Sequence, residues 1–415
     1  MSLPLEGLRV IDFSRVLAGP HCTKHLVDLG ADVIKIEPPM GDISRLAQPA
    51  FGAVSGYYAQ QNAGKRNLSI DLNVAESRSV VLKLCETADV IVENFRPGTL
   101  ASFGLDYDTI AAVNPNVVYA SISGYGQKGS WRSRMAYAPS IQAEAGFTTN
   151  THRQFDVEEG DLQTDALSHA DVYSGLHATI AVLAALNHRN ATGEGQYIDI
   201  AMASVILSMN ERVHYDLSDA DLGPEPPVLG ATGVPFFTSP EGDTFVIPMS
   251  LVGTQLFNFY LKVMRRPDLA DDPRFLTPAL RKQNLHALHE IVQRWILTFE
   301  DMASLDAQLD EAKLATGTVR DMKDFAKTEW AQRWGATRAV PDREGGEITI
   351  PGPPWHFSGH DAPLAPQMPA LQGEHNWEIL QEIGYGEEAV EGLYKLSALI
   401  GGQRADSSEA GHESQ

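Results

Sequence analysis

Cysteine is nearly missing from this 415-residue chain, with Cys22 and Cys85 the only two. That excludes a disulfide framework and a cysteine-rich zinc site, and it fits a reducing cytoplasm. Long hydrophobic runs are missing as well. The cleanest, TIAVLAAL at 179–186, is far shorter than the ~20 residues a bilayer crossing takes, so no membrane partner is expected. Positive charge is scarce: 32 Lys and Arg against 54 Asp and Glu leave a net charge of −22. Phosphate affinity is carried by Lys and Arg, so a nucleic-acid partner is not expected either. A local basic pocket for one phosphorylated ligand stays compatible with that balance. The opening MSLPLEGLRVIDFSRV lacks the basic stretch and apolar core of a secretory signal and runs straight into a strand pattern, so the expected location is cytoplasmic.

Several motifs are absent too. There is no G-x-x-x-x-G-K-[ST] phosphate loop, and the first turn offers VLAGP where a dinucleotide fingerprint needs G-x-G-x-x-G. H-E-x-x-H and the G-x-S-x-G elbow are missing. His21 and His25 form an i, i+4 pair without a third ligand, so no metal site is expected. Nicotinamide redox, zinc hydrolysis and serine hydrolysis all lose support.

What is present reads as an open α/β architecture. LRVIDF (8–13) and DVIKIE (32–37) are short β-branched runs flanking a glycine-containing turn and a helix. The pattern recurs through ESRSVVLKLCETA (helix), DVIVEN (strand), LDYDTIAAVN (helix), NVVYASISGYG (strand) and GQYIDIAM (strand). These strands read as apolar on both faces, as in a buried parallel sheet. Residues 216–235, DLSDADLGPEPPVLGATGVP, read as a linker. From 236 to 334 come a hairpin, FFTSPEGDTFVIPM, turning at Glu241-Gly242, and helices of a smaller α+β domain. Residues 335–400, with the strand EITIPG and the helix HNWEILQEIG, return to the large domain that 1–215 begin. The tail, 401–415, has nothing to bury and is expected to be disordered.

Two polar stretches lie beside strands, where open α/β sheets bind ligands: NAGKRNLSIDL, with Lys65 and Arg66, and VENFRPG, with Arg96. A solvated loop explains them equally well. A third stretch is LSHADVYSGLHATIAVLAALNHR, 167–189. It is an apolar helix with Asp171 at its start and small Ser174 and Gly175 where bulky packing residues would be expected. Asp171 reads either as a helix N-cap or as a functional carboxylate.

Taken in order, LEGLRVIDFSRVLAGPHCTKHLVDLGADVIKIEPPMGD, NAGKRNLSIDL, ADVIVENFRPGTLASFGLDYDTI, NPNVVYASISGYGQKG, ADVYSGLHATIAVLAALNHRNATGEGQYIDIAM and GEHNWEILQEIG resemble the class III CoA-transferases. This is the CaiB/BaiF type, the family of formyl-CoA transferase, carnitine CoA-transferase and α-methylacyl-CoA racemase. The resemblance implies a Rossmann-like large domain with a parallel sheet, a smaller domain, and two chains interlocked as a homodimer. It implies that Asp171 carries the acyl group, with Gly175 and His177 completing a D-x-x-x-G-x-H spacing, the start of the helix keeping the carboxylate ionised. It places Val16, Leu17 and Ala18 against coenzyme A, Ile70, Leu72 and Asn73 near its adenosine end, and Asn94, Phe95 and Arg96 in the same groove. Tyr57 and Tyr137 fall near the reacting centre, Tyr137 also beside the coenzyme, and Gly230 and Gly233 match a glycine loop that closes over the intermediate. Their alternative for the tyrosines is a plain core role. No cofactor is held permanently, since CoA enters as acyl-CoA.

The implied activity is acyl-CoA:carboxylate CoA transfer through an aspartyl mixed anhydride and an aspartyl-CoA thioester, with succinyl-CoA or a similar donor. Departures shape the expectation. Ala138 stands where formyl-CoA transferase has a glutamate, Leu17 where it has a glutamine, and Ser102 where relatives have a basic CoA contact. These point away from oxalate and formyl-CoA and toward a larger or less charged acyl group. A 2-methylacyl-CoA racemase is the alternative within the fold. MAYAPS lacks the histidine of its acid/base pair, leaving His169 as the one substitute. A non-catalytic CoA-binding protein is the alternative outside enzymes.

Overall fold

The β-branched runs of the first half become a six-stranded parallel sheet. In the computed structural model, which describes residues 3–154, 161–219, 234–359 and 367–402, the chain divides into two units. One comprises 1–149, 163–210 and 329–415, and the other 150–162 and 211–328.

The first unit holds β1 (Arg9–Asp12), β2 (Asp32–Glu37), a short antiparallel pair β3 (Ala50–Phe51) and β4 (Val54–Ser55), β5 (Arg66–Ser69), β6 (Val90–Glu93), β7 (Val118–Ser123) and β8 (Gln196–Ala201). Its sheet runs in the order β5-β2-β1-β6-β7-β8, all parallel. Interleaved are α1 (Ala18–Asp28), α2 (Gly56–Asn62), α3 (Ala75–Cys85), α4 (Tyr107–Val113), α5 (Ala138–Glu144), α6 (Phe147–Gln154), which crosses into the second unit, α7 (His169–Thr192) and α8 (Met202–Met209). Strand order reverses between β1 and β6, so a crevice opens outside their carboxyl ends.

Alternation along each strand sorts the core into two layers. Val10, Val33, Val90, Val92 and Ile122 pack with α1, α5, α7 and α8 on one face. Ile11, Ile34, Leu68, Ile91 and Tyr119 pack on the other with α3, α4 and two late helices, Asn376–Glu382 and Glu387–Lys395. The helix expected in HNWEILQEIG thus belongs to the first unit, as does the strand EITIPG, which is β13 (Glu347–Pro351) below. Each fully buried Ile or Leu here is worth about 1.5–3 kcal/mol relative to exposure.

Apolar strands describe the middles but not the carboxyl ends, where Asp12, Lys35, Glu37 and Glu93 are buried. Lys65 and Arg66 are not in a solvated loop either. Lys65 Nζ donates to Asp12 (3.0 Å), Asn62 (2.9 Å) and the Pro20 carbonyl (3.1 Å). Arg66 pairs with Asp32, Glu378 and Glu382. Lys35 pairs with Asp42 (3.0 Å), and Arg45 with Glu37 (2.9 Å), so three cations match three carboxylates under the first β-α turn. The polar ends are affordable because Asp12, Lys35 and Glu37 are paired and hydrogen-bonded, while Glu93, unpaired, accepts the Phe95 N–H (2.7 Å) and is pushed up to about 7 by burial.

The second unit contains β9 (Phe236–Thr238), β10 (Thr244–Val246) and β11 (Gly317–Thr318) as an antiparallel sheet, with helices Thr254–Met264, Leu285–Ile296 and Met302–Glu311. The hairpin read around Glu241-Gly242 is β9–β10, and Gly242 takes φ +95°, open to glycine at little cost. Phe237, Phe245, Tyr260, Phe275 and Leu288 form its core. Returning to the first unit, β12 (Thr337–Pro341) pairs with β13 (Glu347–Pro351). Of the segment 216–235, residues 220–233 lie outside the described residues, and a short helix, Val213–Leu217, occupies its start. Tail residues from 403 onward also lie outside them. Among the described residues, no helix is long and apolar enough to cross a membrane.

Replacing Lys65 by Ala leaves Asp12 buried without its direct ion partner. Urea unfolding should show a loss of about 3–5 kcal/mol. A loss below ~1 kcal/mol would show that Lys35 alone suffices to hold Asp12.

Candidate active site

Helix α7 begins two residues before Asp171. Ser168 is the N-cap position and His169 the first helical residue, so Asp171 sits inside the first turn and caps nothing. Among the described residues, no hydrogen bond or ion pair engages its carboxylate. Asp171 instead lines a cleft of ≈ 190 Å³ with Arg15, Val16, Ala18, Asn94, Phe95, Arg96 and Tyr137.

Gly175 explains how α7 comes so close. A Cβ there would lie 2.7 Å from the Ala18 carbonyl oxygen and 3.0 Å from His21 Cβ. Absence of a side chain lets the helix rest on the first turn of α1, one turn below Asp171. Gly19 does the same for the turn before α1, where a Cβ would meet Ser14 Cβ at 2.1 Å.

Burial pushes the Asp171 carboxyl up to about 6, with no neighbouring cation to pull it back. Arg132 and Arg134 also line the cleft, making four arginines on a chain of net charge −22. Arg134 is paired with Glu144, while Arg15, Arg96 and Arg132 have no ion pair among the described residues and can meet a ligand's charge. Tyr57 lies close enough that its phenol is raised, first by burial and then by the charges of Asp171 and Asp42. Tyr137, 69% exposed at the N-terminus of α5, lines the cleft as well, so a core role does not describe it.

Other expected residues fall elsewhere. Leu17 is buried and absent from the lining, although Val16 and Ala18 are in it. Ile70 is buried, bridged to Leu399 at the sheet edge, and Leu72 and Asn73 follow it away from the cleft. Asn94 clamps the Arg15 backbone, its Oδ1 accepting the N–H and its Nδ2 donating to the carbonyl, each at 2.9 Å. Phe95 carries the Arg15 guanidinium 5.5 Å above its ring. His177 is turned to the Tyr173 carbonyl (2.8 Å). His169 pairs with Asp165 and lies between Phe147 and Tyr173, so it is not in the cleft as an acid/base partner. His21 and His25 contact each other at 3.2 Å, and no cluster of three metal-ligating side chains occurs among the described residues. Gly230 and Gly233 lie outside the described residues. Arg15, Arg132 and Arg134 escaped the sequence reading. Their signal was a basic residue two positions after the strand run LRVIDF, and two others three and five positions before Tyr137, on an acidic chain.

The sequence profile of CoA-transferase family III matches residues 5–376. The chain belongs to that family. Curated relatives include a formyl-CoA:oxalate CoA-transferase of Streptomyces coelicolor, 30% identical over 95% of this chain and 99% of the relative. A succinyl-CoA:mesaconate CoA-transferase of Haloarcula hispanica is 32% identical over 92% and 97%. The crystal structure of a CAIB/BAIF family protein from Brucella suis, 29% identical, superposes with a TM-score of 0.74 over 92% of this chain and all of that one. This family III protein is therefore a CoA-transferase, with CoA thioesters as its substrates. The mixed α/β fold of this chain, with its six-stranded parallel sheet, matches that structure.

Because the Asp171 carboxyl is raised, ionisation is disfavoured in the folded state. The stability its neutral form supplies is present below pH ~4 and lost as pH rises through about 6. Asp171→Asn should thus stabilise the protein at pH 7 by about 2–3 kcal/mol, with the gain vanishing near pH 4 in thermal unfolding. Equal stability at pH 7 would show that the carboxylate is not penalised by its surroundings.

Proposed function

We propose that this CoA-transferase moves CoA from an acyl-CoA to a carboxylic acid through covalent chemistry on Asp171. The observation that carries the reading is a single unpartnered carboxylate lining a cleft with four arginines. Ionised Asp171 attacks the thioester carbonyl, the C–S bond breaks, and CoA leaves as thiolate from a mixed anhydride. The thiolate attacks the aspartyl carbonyl, releasing the donor acid and leaving an aspartyl-CoA thioester. The acceptor carboxylate attacks that carbonyl, and the thiolate finally takes the acceptor acyl group and frees Asp171. Every step exchanges bonds of similar energy, so no hydrolysis drives the cycle.

Each tetrahedral intermediate carries an oxyanion. Ala18 borders the cleft in the first turn of α1, where backbone N–H groups lack intrahelical acceptors and suit that charge. Val16, Ala18, Asn94, Phe95 and Arg96 are the CoA-facing set, and Arg96 with Arg132 suits phosphate or carboxylate groups through the rigid guanidinium fork. Ile70, Leu72 and Asn73 are assigned to the adenosine end, outside this cleft. Tyr57 and Tyr137 flank the acyl group, and Gly230 and Gly233 are assigned to a closing loop.

Substrate choice follows the relatives. Besides formyl-CoA:oxalate and succinyl-CoA:mesaconate transferases, a succinate–glutarate CoA-transferase of Agrobacterium fabrum is 31% identical over 92% of this chain. We assign a dicarboxylic acid as acceptor, with succinyl-CoA as the first donor to test. Ala138 in place of a glutamate favours an acyl group larger than formyl. The working form is assigned as an interlocked homodimer in the cytoplasm. Ile180 (65% exposed) and Trp330 (55%) supply apolar surface that a second copy would cover. Light scattering after gel filtration should give twice the chain mass, and a monomer would overturn the dimer.

Incubation with succinyl-CoA, glutaryl-CoA or formyl-CoA, followed by hydroxylamine and peptide mass spectrometry, should yield a hydroxamate on Asp171 that Asp171→Ala abolishes. Its rate of formation should fall about tenfold per pH unit below 6, since only the ionised carboxylate attacks. No adduct from any donor would overturn the covalent mechanism.

A further inference from the structure

The turn joining β1 to α1 contains a backbone conformation that its sequence does not favour. Val16 sits at φ +66°, in the left-handed region, which a β-branched side chain rarely enters. Leu17 follows at φ −137°, ψ −63°, outside the helical and extended regions. Such a conformation persists only where its surroundings over-determine it.

Here the surroundings are a closed ring of buried polar groups. The Val16 N–H donates to both oxygens of Asp42, at 3.2 and 3.3 Å. Asp42 is 2% exposed and is itself fixed by the Ser44 N–H (2.9 Å), the Ser44 hydroxyl (2.8 Å) and Lys35 (3.0 Å). Lys35, fully buried, donates in addition to the Ser14 carbonyl at 2.7 Å. One ammonium therefore holds the carbonyl before Arg15 and the carboxylate that holds the N–H after it. Arg15 between them is clamped on both backbone groups by Asn94. Both side chains displayed by this ring, those of Arg15 and Val16, border the cleft of Asp171.

We propose that Asp42, fixed by Lys35, is a positioning residue for CoA binding: it holds Val16 left-handed and so sets Arg15 and Val16 in the cleft. The proposal rests on the reading above that the cleft takes CoA. An amide at position 42 turns a donor toward Lys35 or the Val16 N–H, so Val16 returns to negative φ, the peptide on either side rotates, and the Arg15 guanidinium leaves its place. Glycine at position 16 tolerates the left-handed conformation without help, so the need for Asp42 is tied to the valine.

Calorimetric titration with free CoA of the wild type, Asp42→Asn, Val16→Gly and the double variant tests this as a cycle. Asp42→Asn should weaken CoA binding about tenfold or more in the valine background and less than about threefold in the glycine background. If the wild type does not bind CoA, the reading of the cleft fails and this proposal with it. If the wild type binds and Asp42→Asn binds equally, the proposal alone is overturned. An equal loss in both backgrounds also overturns it, because Asp42 then acts otherwise than through Val16. Should Asp42→Asn alone not fold, the comparison passes to Val16→Gly against the double variant. Equal CoA affinity there supports the proposal, and a tenfold loss or failure of the double variant to fold overturns it.

Discussion

The cleft depends first on the buried pairing of Lys65 with Asp12. It joins the end of β1, the residue before β5 and, through the Pro20 carbonyl, the first turn of α1. Of these, β1 borders the reversal of strand order, and Lys65 ties its end and α1 to the edge strand β5. Burying two charges is unfavourable until both are matched, and the surrounding donors and acceptors do the matching: Asp12 accepts from Ser14 N–H (2.9 Å) and Thr23 (2.6 Å) as well. A misplaced β1–α1 turn would leave those ions unmatched, so the network selects one arrangement of the turn against its alternatives.

Placed against that turn, Asp171 is the opposite case. Its neighbours bury it but give it no partner, and its carboxyl sits near 6 where the paired Asp42 sits at about 2, held down by Lys35 and the Ser44 N–H against the effect of its own burial. Under the proposed covalent chemistry, a bare carboxylate has no hydrogen bond to give up on becoming acylated, so its ground state is not stabilised at the expense of the transition state. Arg15, Arg96 and Arg132 line the same cleft without an ion pair among the described residues, so it is locally basic on an acidic chain.

Much of the fold was legible because its signals are local. DVIKIE is β2 to the residue, and the helix in LDYDTIAAVN and the hairpin at Glu241-Gly242 appear where turn chemistry and periodicity put them. What periodicity could not show is charge buried by partners far away in sequence. Lys65 and Arg66 are neighbours in a polar stretch, yet one is enclosed beneath α1 and the other faces acids some 310 positions on. Arg15 looks like any strand-end arginine until Asn94, 79 positions away, clamps its backbone. Asp171 stood out by residue type and spacing, while its place inside the first turn required the helix to be seen. The meaning of Gly175 lay in α1, not in α7 itself.

The first unit is assembled from three separated stretches of chain, and its edge strand is finished by the last of them. On β5, Asn67 N–H donates to His375 (3.2 Å) and Ser69 N–H to Asn376 (2.9 Å), while the Asn67 side chain accepts from Gly373 N–H (2.6 Å). Beyond the strand, Ile70 pairs with Leu399. During synthesis these edge groups emerge some 300 residues before their partners, and the whole second unit is made in the interval. An open strand edge is a template for wrong pairing, and long-range closure is slow. The nascent chain therefore carries an exposed edge until residues 373–399 have left the ribosome, and its yield in the cell should depend on chaperone capacity more than its finished stability suggests.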